Sequence, residues 1–115
     1  MCSICGIFSP KGVGSEAGVI CAEMSKTMTC RGPDASGDYL GEIVALSHNR
    51  LAVMDPERGA QPMTVCFGRK RYTIVYNGEI YNLPELSREL AEKGVTLSTR
   101  CDTEALVYEI GRAHV

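Results

Sequence analysis

No stretch of this 115-residue chain is apolar over anything near the roughly 18 residues that a membrane-spanning helix needs, so no membrane is expected among its partners. An excess of positive charge is missing too: 12 Lys and Arg stand against 14 Asp and Glu, a formal net charge of −2. Nucleic acid and anionic membrane surfaces call for clustered Lys and Arg, so neither is expected to bind here. The one basic cluster, Arg69-Lys70-Arg71, follows Phe67-Gly68 and reads as a solvated turn. The first residues lack the basic segment and apolar stretch of a secretory signal, which makes a cytoplasmic location the expectation. In that reducing compartment the six cysteines stay thiols. Nor do they form a metal set. Cys2-x-x-Cys5 has no second close pair, Cys21 and Cys30 lie nine residues apart around an expected helix, and His48 and His114 have no partner at ligand spacing. A redox reading of the same pair would need a βαβ context, which is also missing. No repeat or low-complexity segment is present.

What is there reads as short strands joined by turns, with three helices among them. Ser3 to Ser9 suits a strand that Pro10 and the glycines at 12 and 14 stop. Glu16 to Thr29 suits a helix capped by Ser15, with Ile20, Met24 and Met28 as its apolar stripe. Arg31 to Asp38 has the residues of an ordered loop, and strands are expected at Tyr39 to Leu46 and His48 to Met54. After a loop from Asp55 to Pro62, Thr64 to Phe67 and Tyr72 to Tyr76 suit a hairpin around Gly68. Asn82, three residues before Glu85, has capping-box spacing for a helix whose Leu83, Leu86 and Leu90 are buried and which Gly94 ends. Val95 to Ser98 suits a short strand, and Thr103 to Ile110 a helix capped by Asp102. Strands outnumber helices, which predicts an α+β layered fold rather than a βαβ one.

The position of Cys2 carries a specific chemistry. Cysteine is small enough to allow removal of Met1, which leaves Cys2 with a free α-amino group. That amine has an ordinary pKa of about 7.7–8.0, so much of it is neutral at cellular pH and can take the thiol proton. Nucleophile and base then share one residue, held in a sheet by Ile4, Ile7 and Phe8. On this reading Met1 is absent from any active form. By position alone, however, a second-residue cysteine is an ordinary thiol.

The surrounding segments change that balance. Met-Cys-Ser-Ile-Cys-Gly-Ile-Phe at the start, Cys-Arg-Gly-Pro-Asp-Ala-Ser-Gly at 30–37, Ser-His-Asn-Arg-Leu at 47–51, Gly-Ala-Gln-Pro-Met at 59–63, Tyr-Asn-Gly-Glu-Ile-Tyr-Asn at 76–82 and Cys-Asp-Thr-Glu at 101–104 follow in this order. Together they resemble the N-terminal glutaminase domain of the glutamine-hydrolysing asparagine synthetase family, class II glutamine amidotransferases within the N-terminal-nucleophile hydrolases. The resemblance implies a four-layer αββα sandwich with antiparallel sheets, of which residues 1–115 are a partial domain. It implies that Cys2 attacks the side-chain amide of glutamine to give a γ-glutamyl thioester. Asn77 and Gly78 match the oxyanion hole, whose donors are typically worth about 3–4 kcal/mol each. Arg50 matches the clamp on the α-carboxylate of glutamine, a task for a planar donor fork. Asp102 matches the carboxylate that holds the α-ammonium, a role compatible with capping. Glu79 and the backbone around Val53 and Met54 match further contacts to the amino-acid end. Arg31 to Asp34 matches a loop beside the nucleophile with a structural role. Cys30 departs from the family, which often has His there, and Cys5 and Cys101 are also unusual residues for it.

Beyond the chain, the resemblance implies a C-terminal synthetase domain in cis that binds ATP, Mg2+ and aspartate and makes asparagine, and it leaves room for a homodimer of the full enzyme. No cofactor is expected in these 115 residues. Two alternatives stand beside this reading: the glutaminase part of another class II amidotransferase, feeding a sugar phosphate or phosphoribosyl pyrophosphate, and an inactive glutamine-binding fragment. Cys2 together with both oxyanion donors speaks against the inactive fragment. Arg-Gly-Pro-Asp followed by Asn-Gly-Glu-Ile-Tyr-Asn favours asparagine synthesis. The tail from Glu109 to Val115 departs from the family, and Gly111 interrupts the apolar pattern where no cap is due. One permitted back-translation of the tail coincides with a common sequencing-adapter read. The expectation is that the tail is not native and that the natural chain runs on after about Tyr108.

Overall fold

A computed structural model describes residues 1–113; His114 and Val115, and with them part of the tail reading, lie outside the described residues. Strand β1 (Ser3–Phe8) leads to helix α1 (Glu16–Lys26), a 3-10 turn (Thr29–Arg31), β2 (Ala35–Leu40), β3 (Val44–Arg50), the hairpin of β4 (Met63–Phe67) and β5 (Lys70–Ile74), then α2 (Leu83–Glu92) and α3 (Asp102–Ala113). β1, β3 and β2 form an antiparallel sheet in that order, with Ile4 and Gly37 flanking His48 in register. β4 and β5 form the second sheet. The fold is therefore α+β with antiparallel sheets, as the strand-rich pattern predicts.

Each sheet has its own core. Ala17 and Cys21 of α1 pack on Ala45, with Cys5, Ile7 and Val13 around them. Small side chains let the helix lie close to the sheet. The Sγ atoms of Cys5 and Cys21 stand 3.9 Å apart, and burial, then the neighbouring Cys21, pushes the Cys5 thiol up to about 11. All six cysteines are free. The second core joins Leu90, Val95 and Ala105, with Leu83, Leu86, Phe67, Leu97 and Tyr108 packed against them.

The α2 face is the expected one, and Gly94, at φ 86°, ends that helix in a conformation that costs glycine nothing. The α1 face is not. Its buried residues are Ala17, Cys21 and Ser25, while Ile20 is 52% and Met24 39% exposed. Buried Asn49 supplies the reason: its side chain bonds Ser25 Oγ and the Ser25 carbonyl, so a polar network turns that edge of the helix inward. α1 also stops at Lys26, and Met28 is followed by the 3-10 turn.

Other boundaries shift for local reasons. The β2–β3 turn falls at Gly41–Ile43 instead of next to Ser47, because β2 starts inside the expected loop at Ala35. Val95 to Ser98 forms no strand; Val95 is drawn into the second core. Ser15 and Asn82 make no side-chain cap bond, and the Asn82 carbonyl instead accepts from Glu85 and Leu86 N–H. Asp102 is the first residue of α3 and does not cap it, since its carboxylate accepts from Ile80. α3 runs through Gly111 without a break, because a buried glycine there lets the helix approach the Tyr72 ring.

Candidate active site

The end of β3 and the segment after β5 meet at a cleft of about 380 Å³. All eight residues singled out in the sequence line it: Cys2, Arg50, Val53, Met54, Asn77, Gly78, Glu79 and Asp102. They come from four separate parts of the chain. Cys2 stands just before β1, and its Sγ accepts from Leu51 N–H at 3.3 Å. Met1 lines the same cleft, with Arg31 Nη2 3.7 Å from its sulfur.

Arg50 closes β3 and is buried, only 7% exposed. Its Nη1 donates to the Pro56 carbonyl at 3.0 Å, and its Nη2 to the Met54 and Asp55 carbonyls at 2.6 and 2.8 Å. No carboxylate pairs with it among the described residues. The strand residue thus folds the following loop around its own guanidinium and keeps its positive charge at the cleft. Cys101 completes this arrangement. It donates to the Met54 carbonyl at 3.2 Å, and its Sγ lies 3.7 Å from Arg50 Nη2. Burial raises the Cys101 pKa against the opposing pull of Arg50, so the thiol stays protonated. Gly59 packs on both groups, and a Cβ there would collide with the guanidinium and the sulfur.

Asp34 of the Arg-Gly-Pro-Asp loop accepts from Ala52 N–H at 2.7 Å, and its own N–H donates to the Arg50 carbonyl at 3.0 Å. The loop therefore braces the backbone on either side of Leu51, next to the sulfur of Cys2. Val53 is exposed at the rim. The Met54 carbonyl is already taken by Arg50 and Cys101. Across the cleft, Asn77, Gly78 and Glu79 are exposed. Asp102 is buried, with Oδ2 accepting from Ile80 N–H at 3.0 Å. The cleft therefore offers a cation and an anion on buried side chains, a thiol, and an exposed Asn-Gly pair of donors. A small zwitterion with a polar side chain fits this set.

The sequence of the whole chain decides its kinship: residues 1–113 match the family described as glutamine amidotransferase domain. The chain belongs to that family. Among similar proteins, asparagine synthetase [glutamine-hydrolyzing] 1 of Bacillus subtilis is 37% identical over 93% of this chain and 17% of that protein. Asparagine synthetase [glutamine-hydrolyzing] 3 of the same species is 42% identical over 74% of this chain and 14% of that protein. Asparagine synthetase B of Escherichia coli is 36% identical over 93% and 19%. The chain thus spans under a fifth of the length of the curated relatives it matches.

The cleft is also lined by residues to which the resemblance assigns no role: Gly59, Gln61, Tyr76, Tyr81, Cys101 and Thr103. Gln61 and Cys101 stood inside segments that carried the resemblance, so a signal was present for them. Their partners, 15 to 51 residues away, were not. Among the described residues no three His, Cys, Asp or Glu side chains gather to hold a metal ion, and no helix is long and apolar enough to cross a membrane.

Proposed function

We propose that this amidotransferase domain hydrolyses free glutamine through Cys2 once Met1 is removed. The freed α-amine takes the thiol proton, Sγ attacks the side-chain amide carbon, and the proton passes to the departing nitrogen as ammonia leaves. Water then cleaves the γ-glutamyl thioester, giving glutamate and restoring the thiol. Asn77 Nδ2 and Gly78 N–H stabilise the oxyanion formed in each half-reaction. Arg50 holds the α-carboxylate, Asp102 the α-ammonium, and Glu79 and the backbone near Val53 and Met54 make further contacts to the amino-acid end.

The observation that carries this reading is the convergence of all eight residues on one cleft. Cys2 and the Asn-Gly pair favour hydrolysis over simple binding. Similarity to glutamine-hydrolysing asparagine synthetases favours delivery of the ammonia, in the cytoplasm, to a synthetase domain in cis that uses ATP, Mg2+ and aspartate. A homodimer of that larger enzyme belongs to the same reading. Nothing in the present cleft is assigned to ATP or Mg2+.

The test is to mix the Met1-free chain with glutamine, quench in acid and map the adduct by mass spectrometry. The expected product carries the mass of glutamine less ammonia on the peptide that begins at Cys2. An adduct on another cysteine, or none under conditions where glutamate accumulates, overturns the assignment of Cys2.

A further inference from the structure

The donors proposed for the oxyanion, Asn77 and Gly78, are exposed and lie outside any helix or strand, yet such donors act only when fixed in advance. The residue before them is held on both sides of its backbone. Tyr76 N–H donates to Gln61 Oε1 at 2.6 Å, and Gln61 Nε2 donates in turn to Thr103 Oγ1 at 3.1 Å on α3. The Tyr76 carbonyl lies 3.3 Å from Nε2 of His48. A carbonyl oxygen only accepts, so Nε2 carries the proton and Nδ1 is bare. That fits the surroundings, because Nδ1 is buried with no partner among the described residues and an imidazolium would need one.

His48 is 1% exposed and sits in the middle of the first sheet, directly opposite Ile4 of β1. Cys2 is two residues before Ile4. His48 therefore touches the strand that carries the nucleophile and the backbone that carries the oxyanion donors. The Tyr76 ring adds a third hold, lying so close under Gly78 that a Cβ there would meet its hydroxyl at 2.6 Å. Downstream, Asp102 fixes Ile80 N–H.

We propose that His48, with Gln61, is a positioning residue that sets the distance between Cys2 and the Asn77–Gly78 donors by clasping the Tyr76 backbone. The inference rests on the glutaminase reading and names residues to which that reading gives no part. Neither side chain need touch the reacting atoms. Losing the clasp leaves the amino-acid end of glutamine held by Arg50 and Asp102, so turnover falls and binding stays.

The test uses the Met1-free chain with His48→Leu, His48→Gln and Gln61→Leu. His48→Leu removes the donor, whereas a glutamine amide places an N–H near the position of Nε2. The expected result is a kcat about 10- to 100-fold lower for His48→Leu and Gln61→Leu with KM changed less than about threefold, and substantial recovery in His48→Gln. Hydrogen exchange gives a readout independent of activity: the Tyr76 amide is protected in the parent and exchanges faster in Gln61→Leu. Should His48→Leu fail to fold, Gln61→Leu decides. A Gln61→Leu chain with parental kcat and parental Tyr76 exchange overturns the proposal, as does His48→Gln no more active than His48→Leu. A parent chain that binds glutamine without hydrolysing it refutes the glutaminase reading instead, and the Tyr76 exchange still judges the clasp.

Discussion

Arg50 serves two ends with one guanidinium. Three backbone carbonyls tie it to the loop that follows β3, and it still presents charge to the cleft. Arg50→Ala is therefore expected to raise KM for glutamine about 10- to 100-fold and to lower stability, because the three part-buried carbonyls around it lose their donor. Arg50→Lys should recover little, since an ammonium cannot serve three carbonyls in one plane and a carboxylate as well. Asn77→Ala should do the reverse, cutting kcat by about 10²–10³ with KM little changed, as steady-state kinetics will show. The resemblance singled out Arg50, Asn77 and Gly78, since an arginine on a strand or an Asn-Gly pair is ordinary by itself; the fold brings all three to one cleft. The part played by His48 was not legible. Its partner Tyr76 lies 28 residues on, in another part of the fold, and a lone histidine on a strand gives no sign of which carbonyl it will meet.

At the scale of elements, α1 and α2 differ in how their sequences disclose a face. The leucines of α2 recur on one side and face the second core there, Leu90 fully enclosed and Leu83 and Leu86 half-buried. Leu90→Ala is expected to cost about 2–4 kcal/mol in urea unfolding. Ile20→Ala on α1 should stay within about 0.5 kcal/mol, although hydrophobic spacing alone would rank the two alike. The α1 pattern misleads because its inner face is built from Ala, Cys and Ser, which periodicity undervalues, and because Asn49 pulls Ser25 inward. α3 depends on a polar device instead. Glu104 is buried, which by itself raises its pKa, but Ser98 and Thr99 surround it with two backbone N–H and two hydroxyl donors that outweigh burial and hold it below the ordinary glutamate range. With the folded pKa below the unfolded one, this carboxylate contributes stability above the ordinary value of about 4.3 and loses it as pH falls through the folded value. The urea midpoint should therefore drop on acidification in the parent and drop less in Glu104→Gln, which starts lower at neutral pH.

Over the whole molecule, the cleft lies where two separately packed halves meet. The first sheet brings Cys2 and Arg50; the segment after the hairpin and the start of α3 bring Asn77, Gly78, Glu79 and Asp102. The α+β class followed from strand-rich patterning, but the sharing of one cleft by two cores depends on contacts far apart in sequence and only the folded chain displays it. Glutamine bound across both halves is expected to stabilise the chain as a unit, by about 2.7 kcal/mol at a hundredfold excess over Kd. Thermal unfolding with and without glutamine checks this. The most direct measurement of the central claim compares glutamate release by the same chain with Met1 removed and with Met1 retained. A free α-amine on Cys2 predicts turnover in the first and none above the Cys2→Ala background in the second; equal rates in the two would contradict it.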